Sequence, residues 1–173
     1  ELSSWQKIIG FVPQTIFLTE KTIRENIAFG EETYNIDQNK INKALEISML
    51  SETISHLTKK DNTLIGERGS KFSGGQQQRL GIARALYFDP KILILDEATN
   101  ALDILTENEI FNALNKLNKD TTIIMITHRL DVIKKFDKII FMNEGRVEGY
   151  ETFHTLVENN LNFRNLVFAS KQN

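Results

Sequence analysis

The sequence predicts an α/β domain whose sheet is interrupted by a helical insertion between Gln14 and Pro90. Three observations carry that reading. Ile92-Leu93-Ile94-Leu95 is a continuous apolar run without alternation, as expected of a strand buried on both faces of a parallel sheet. A second β-branched run, Thr121 to Thr127, follows it across a helical pattern at about 104–118, and strand, helix, strand implies a crossover unit. From about Thr22 to Phe88 the texture is helical instead.

Taken in order, Ile8-Ile9-Gly10-Phe11-Val12 reads as a short strand that stops at Pro13 and runs into a loop. Ile41, Ala44, Leu45 and Ser48 follow the i, i+3, i+4, i+7 spacing of a helix with one buried stripe. Gly66 to Gly75 is a glycine-rich interruption, Gln76 to Tyr87 a further helix, and Pro90 closes the segment. Asp96 ends the apolar strand. Ile110, Leu114 and Leu117 share one face of the next helix, and Thr121–Thr127 ends at His128. Asp137 to Met142 supplies another strand and Asn143-Glu144-Gly145 a turn, after which the pattern reads as helical to the end. Ligands in open α/β sheets sit at the carboxyl ends of the strands, where Gln14, Asp96 and His128 are expected.

Composition narrows the function. The 173 residues are enough for a real core, and 40% hydrophobic with 25% charged residues is ordinary for a globular protein. There is no apolar run long enough to span a bilayer and no secretory leader pattern, so this stretch is expected to be soluble by itself. A formal charge of −2 gives no sequence-independent grip on nucleic acid. Zero cysteines removes disulfide scaffolds, thiolate zinc sites and cysteine nucleophiles together.

Phe72-Ser73-Gly74-Gly75-Gln76 is the most informative pentapeptide. Ser73 is placed as an N-cap with Gln76 three positions on, the spacing of a capping box. A helix start bares unpaired N–H groups, and Gly74 and Gly75 let an anion approach them, which makes a phosphate contact. By itself the same sequence is also a turn that caps an ordinary helix. Asp96 and Glu97 suit one carboxylate near a hydrated Mg2+ and a neighbour that orients or deprotonates a water, although an isolated pair is equally a solvated strand end. His128 can donate to a phosphate oxygen, although a lone histidine there is more often structural, and Gln14 offers a neutral amide to metal or water, although a loop glutamine is usually just solvated. Asn100 to Asp103 alone reads as a turn and helix cap.

The order of these elements resembles the nucleotide-binding domain of ATP-binding cassette (ABC) transporters along nearly the whole chain. Gly66 to Arg79 is similar to that family's signature region, and Ile92 to Thr99 to its Walker B strand. The resemblance implies a RecA-like P-loop NTPase core with an inserted ABC helical subdomain. It divides the chain into 1–21 with the Q-loop, 22–89 as the helical signature part, and 90–173 with Walker B, D-loop, switch histidine and carboxyl-terminal helices. It also implies ATP and Mg2+ as cofactors, a second nucleotide-binding domain as homo- or heterodimer partner, and a transmembrane domain. No nucleic acid partner is expected, and the location is the cytoplasmic side of a membrane.

Roles carried over by the resemblance are these. Ser73, Gly74, Gly75 and Gln76 touch ATP held by the partner domain; Glu97 polarises the attacking water; Asp96 and Gln14 act on Mg2+; His128 contacts the γ-phosphate; Asp103 communicates across the dimer. Thr22-Ile23-Arg24-Glu25-Asn26-Ile27 and Gly66-Glu67-Arg68-Gly69 resemble exporter elements near the coupling helices. Three departures stand out. Phe72 replaces the usual leucine, and Asn100 stands where serine is frequent. None of the nine glycines completes Gly-x-x-x-x-Gly-Lys-[Ser/Thr], so the Walker A phosphate cradle and the first strand are missing. With Glu1 in place of a methionine, the expectation is a carboxyl-terminal part of a longer protein that hydrolyses ATP, inactive when alone. The competing readings are an interaction module that supplies only the signature half-site, and a soluble DNA-repair-type ATPase. The second needs a long coiled coil between Gln14 and Ser73, for which the spacing leaves no room.

Overall fold

The computed structural model describes Trp5, residues 8–116 and residues 121–170, which fall into two compact units, residues 1–126 and 127–173. In the first unit β1 (Ile9–Val12), β2 (Ile92–Asp96) and β3 (Thr122–Ile126) form a parallel sheet in the order β1-β2-β3. Parallel neighbours need long crossovers, and here they differ in kind. From β2 to β3 the connection carries, among the described residues, one α-helix, α5 (Ile104–Leu114); Leu117 of the expected helical face lies outside the described residues. From β1 to β2 it carries four: α1 (Ile23–Ile27), α2 (Gln38–Ile47), α3 (Ser51–Ser55) and α4 (Gly74–Leu86).

These four helices have their own core. Ile23, Ile27, Ile41 and Leu50 are 0% exposed, with Leu80 of α4 and Phe72 packed among them. The large Phe72 is thus accommodated inside the helical cluster. At the start of α1, Thr22 and Glu25 form a reciprocal capping box. Buried Asn26 accepts from the Thr19 N–H and donates to the carbonyls of Thr19 and Thr22. Arg84 of α4 then donates to Asn26 O, to Asn26 Oδ1 and to Phe17 O, fixing the loop after β1 against α4. Gly10 permits the close pass of β1 over α4, since a Cβ there would lie 2.6 Å from Ala85 O.

Burial on the sheet departs from the expectation for β2. Leu93 and Leu95 are fully buried, but Ile92, Ile94 and Asp96 are only half-buried. The register Phe11↔Ile94↔Ile124 puts these side chains on one face, and that face keeps Phe11, Ile124 and Ile126 open to solvent. β2 is central and parallel, yet covered fully on one side only.

In the second unit, α6 (Leu130–Ile133) precedes β4 (Ile139–Asn143) and β5 (Arg146–Glu151), and α7 (Phe153–Asn159) and α8 (Leu161–Ala169) follow. β5 corrects the helical reading of everything after Gly145. Glu144 and Gly145 both have positive φ, 47° and 74°, the backbone of a two-residue hairpin turn that returns the chain antiparallel to β4. The helical pattern starts only after the N-cap Thr152. Ile139, Leu156, Phe163 and Val167 close this smaller core.

Candidate functional site

Because β1 and β2 are adjacent and parallel, with Val12 opposite Leu95, the segments leaving their carboxyl ends emerge side by side. Gln14 follows β1, and Asp96-Glu97 ends β2. The Gln14 amide Nε2 donates to Glu97 Oε2 at 2.6 Å across 83 residues of sequence. Asn100 Nδ2 donates to the same oxygen at 2.9 Å. Glu97 has φ 49°, a left-handed backbone that β-carbon crowding disfavours outside glycine, and its N–H donates to Ile126 O at 3.0 Å. Asp96 is the last residue of β2, in register with Ile126. The structure therefore brings Gln14, Asp96 and Glu97 to one end of the sheet. His128, two residues past β3, is the second residue of the second unit, where Arg129 N–H donates to Thr127 Oγ1 at 3.1 Å.

The signature segment folds as the start of α4. Ser73 Oγ accepts from Gln76 N–H at 3.3 Å and Ser73 N–H donates to Gln76 Oε1 at 2.9 Å, the reciprocal cap the spacing predicts. Gly74 and Gly75 line a surface concavity together with Arg79, Leu102, Asp103 and Thr106. Asp103 caps α5: its carboxylate accepts from Thr106 N–H at 2.9 Å and from Thr106 Oγ1 at 2.7 Å, and these bonds hold its pKa below the usual aspartate value. Burial disfavours the charged form of Arg79, and the Asp103 charge opposes that effect.

Three consecutive glutamines take three directions, as steps of about 100° around a helix dictate. Gln76 turns back to cap. Gln77 donates to Gly69 O and Phe72 O. Gln78, only 7% exposed, accepts from Ala101 N–H at 2.9 Å. Gln78 and the Asn100–Glu97 contact are the features that sequence reasoning passed over. Position on the helix is the signal that separates Gln78 from its neighbours, since its face is the one carrying Leu80's neighbour Gly81 and other buried residues.

Among the described residues no group of three or more His, Cys, Asp or Glu is placed to hold a metal ion. The donor set of Asp96 and Gln14 is all hard oxygen, from the carboxylate of one and the amide carbonyl of the other, since an amide nitrogen does not ligate. It fits Mg2+, which is commonly held by one or two carboxylates with waters and substrate phosphates completing the shell. No described helix is long and apolar enough to cross a membrane.

The family profile described as ABC transporter matches residues 1–100. Among curated relatives, the chain is 42% identical over 153 residues to an ATP-dependent lipid A-core flippase of Cupriavidus pinatubonensis (strain JMP 134 / LMG 1197), covering 88% of this chain and 26% of the relative. It is 40% identical over 167 residues to the beta-(1-->2)glucan export ATP-binding/permease protein NdvA of Rhizobium meliloti (strain 1021), covering 96% and 28%. It is 41% identical over 156 residues to a multidrug resistance ABC transporter ATP-binding and permease protein of Lactococcus lactis subsp. lactis (strain IL1403), covering 90% and 26%. A solved structure, that of a bacterial Atm1-family ABC exporter with ATP bound, superposes with a TM-score of 0.91 at 33% identity over 97% of this chain and 29% of that one. The chain thus spans between a quarter and a third of the length of these proteins. With more than half of it inside the family match, the chain belongs to the ABC transporter family.

Proposed function

We propose that this chain works as the ATP-hydrolysing part of an exporter. The observation that carries the reading is the meeting of Gln14 with Glu97 beside Asp96 at the carboxyl end of a parallel sheet. In this reading Glu97 accepts the proton of the attacking water, while Asp96 and Gln14 hold hydrated Mg2+. Mg2+ bound with ATP supplies charge neutralisation along the phosphates. Ser73, Gly74 and Gly75 present the start of α4 to ATP held by a second nucleotide-binding domain, identical or not, and Gln76 keeps that start capped. His128 donates to the γ-phosphate and Asp103 sits at the contact between the two domains. The division of labour is 1–21 for the Q-loop strand, 22–89 for the helical part and 90–173 for the remainder. A transmembrane domain receives the motion, which puts the chain on the cytoplasmic side of the membrane, with no nucleic acid involved.

Replacing Glu97 by Gln keeps size and hydrogen bonding and removes the base. In the full-length protein, turnover of Mg-ATP is expected to fall about 10²-fold or more while ATP-driven closure survives. Retained turnover would remove Glu97 from the role.

A second reading is favoured by the absence of Gly-x-x-x-x-Gly-Lys-[Ser/Thr] from these 173 residues. In that reading the 173-residue chain binds no ATP by itself and supplies only the signature half-site. The carboxylates of Asp96 and Glu97, which lie where it would meet the phosphates, repel them. Isothermal titration with Mg-ATP separates the cases: no detectable heat for the chain alone and binding once an intact domain is added support this reading. Micromolar affinity for the chain alone ends it.

A further inference from the structure

We propose that Asn100 is a positioning residue for Glu97, holding the carboxylate from the loop after β2 while Gln14 holds it from the loop after β1. The proposal rests on the reading of Glu97 as the base. An ionised carboxylate only accepts, so the NH2 of each amide faces it. Both reach the same atom, Oε2, at 2.6 and 2.9 Å, and a turn of the carboxylate about its terminal bond breaks both contacts. The backbone beneath is equally constrained, by the left-handed φ of Glu97 and its N–H bond to Ile126 O. The side chain and the main chain of Glu97 are therefore fixed from separate strands and loops.

Asn100 is itself anchored. Its N–H donates to Glu97 O at 3.2 Å, and Leu102 N–H donates to Thr99 O at 3.0 Å, which makes the loop a tight turn. The next peptide is pinned to α4 from two sides. Ala101 N–H donates to buried Gln78 Oε1, and Ala101 O lies where a Cβ on Gly75 would be 3.0 Å away. Gly75 thus has a use within its own chain besides the approach of an anion. Gly74 has no such constraint, since a Cβ there meets only Ala101 Cβ at 3.8 Å. A serine at position 100 ends one bond short of the asparagine amide and loses the contact.

The test is steady-state hydrolysis of Mg-ATP by the full-length protein carrying Asn100→Ala, Asn100→Ser or Asn100→Asp, with Glu97→Gln as the reference. Asn100 is exposed, so these variants leave the core intact. Alanine and serine are expected to lower kcat about tenfold and leave KM for ATP within about twofold, because orientation is lost and nucleotide binding is not. Aspartate fills the same space but sets a carboxylate against Oε2, and should fall at least as far as alanine. A role in packing alone predicts the opposite, with aspartate close to the unmodified protein. Unchanged kcat in the alanine variant, or a loss carried by KM instead, overturns the proposal while a dead Glu97→Gln leaves the base reading standing. Turnover retained by Glu97→Gln overturns both.

Discussion

In the helical segment, Ile23, Ile27, Ile41 and Leu50 are wholly buried, whereas on the sheet that it interrupts Phe11, Ile124 and Ile126 keep 53%, 45% and 50% of their surface. Both sets are large, apolar and largely β-branched. What separates them is what lies opposite. The helices meet each other and the turn around Ile65 from several directions, so every apolar stripe finds a partner. The sheet is covered on the side of Gly10, Val12, Leu93 and Leu95, and alternation sends the remaining side chains to the other face. Apolar composition at a strand thus reports that a face can be buried, and packing decides whether it is.

The largest effect that would sharpen this contrast is Leu80→Ala in the helical core, expected to cost about 3–4 kcal/mol through lost transfer energy and the cavity left behind. Urea unfolding measures it. A loss below about 1 kcal/mol would mean that the helical cluster is far looser than its burial indicates.

Next comes Arg84→Met, which removes the three donations to Asn26 and Phe17 and leaves their acceptors without this partner. A loss of about 2–3 kcal/mol is expected, with faster amide exchange over residues 15–22 in particular. Arg84→Lys should not restore it, because one ammonium cannot make the forked contact.

Smaller again is the contrast between the two signature glycines. Gly75→Ala presses on Ala101 O and is expected to destabilise by about 1 kcal/mol, whereas Gly74→Ala meets open contact and should be neutral or stabilise by up to about 0.5 kcal/mol as a better helix former. Thermal melts of the pair give the sign. Equal effects would mean that the Ala101 loop gives way freely.

The smallest effect belongs to the open sheet face. Ile124→Ser is expected to change stability by no more than about 0.5 kcal/mol. A cost close to that of Leu80→Ala would break the comparison outright, because it would show this face buried in solution.

Much of this was determined by the sequence alone, and for a common reason: the interactions are local. The capping box of Ser73 and Gln76 spans three residues, and the strand endings at Val12 and Asp96 follow from where apolar runs stop. The buried stripe of Ile41, Ala44 and Leu45 follows from helical spacing. The turn at Asn143-Glu144-Gly145 was also readable, but the strand after it was not, since Arg146 to Glu151 has only weak alternation and is held by pairing with β4. Tertiary structure decided everything that joins distant segments. Only the pairing of β1 with β2 brings Gln14 to Glu97 across 83 residues, and only the packing of the loop after β2 on α4 distinguishes Gln78 and Gly75 from their neighbours. A side chain's type fixes what it can donate or accept, but its partner is chosen by the strands and helices that carry both ends.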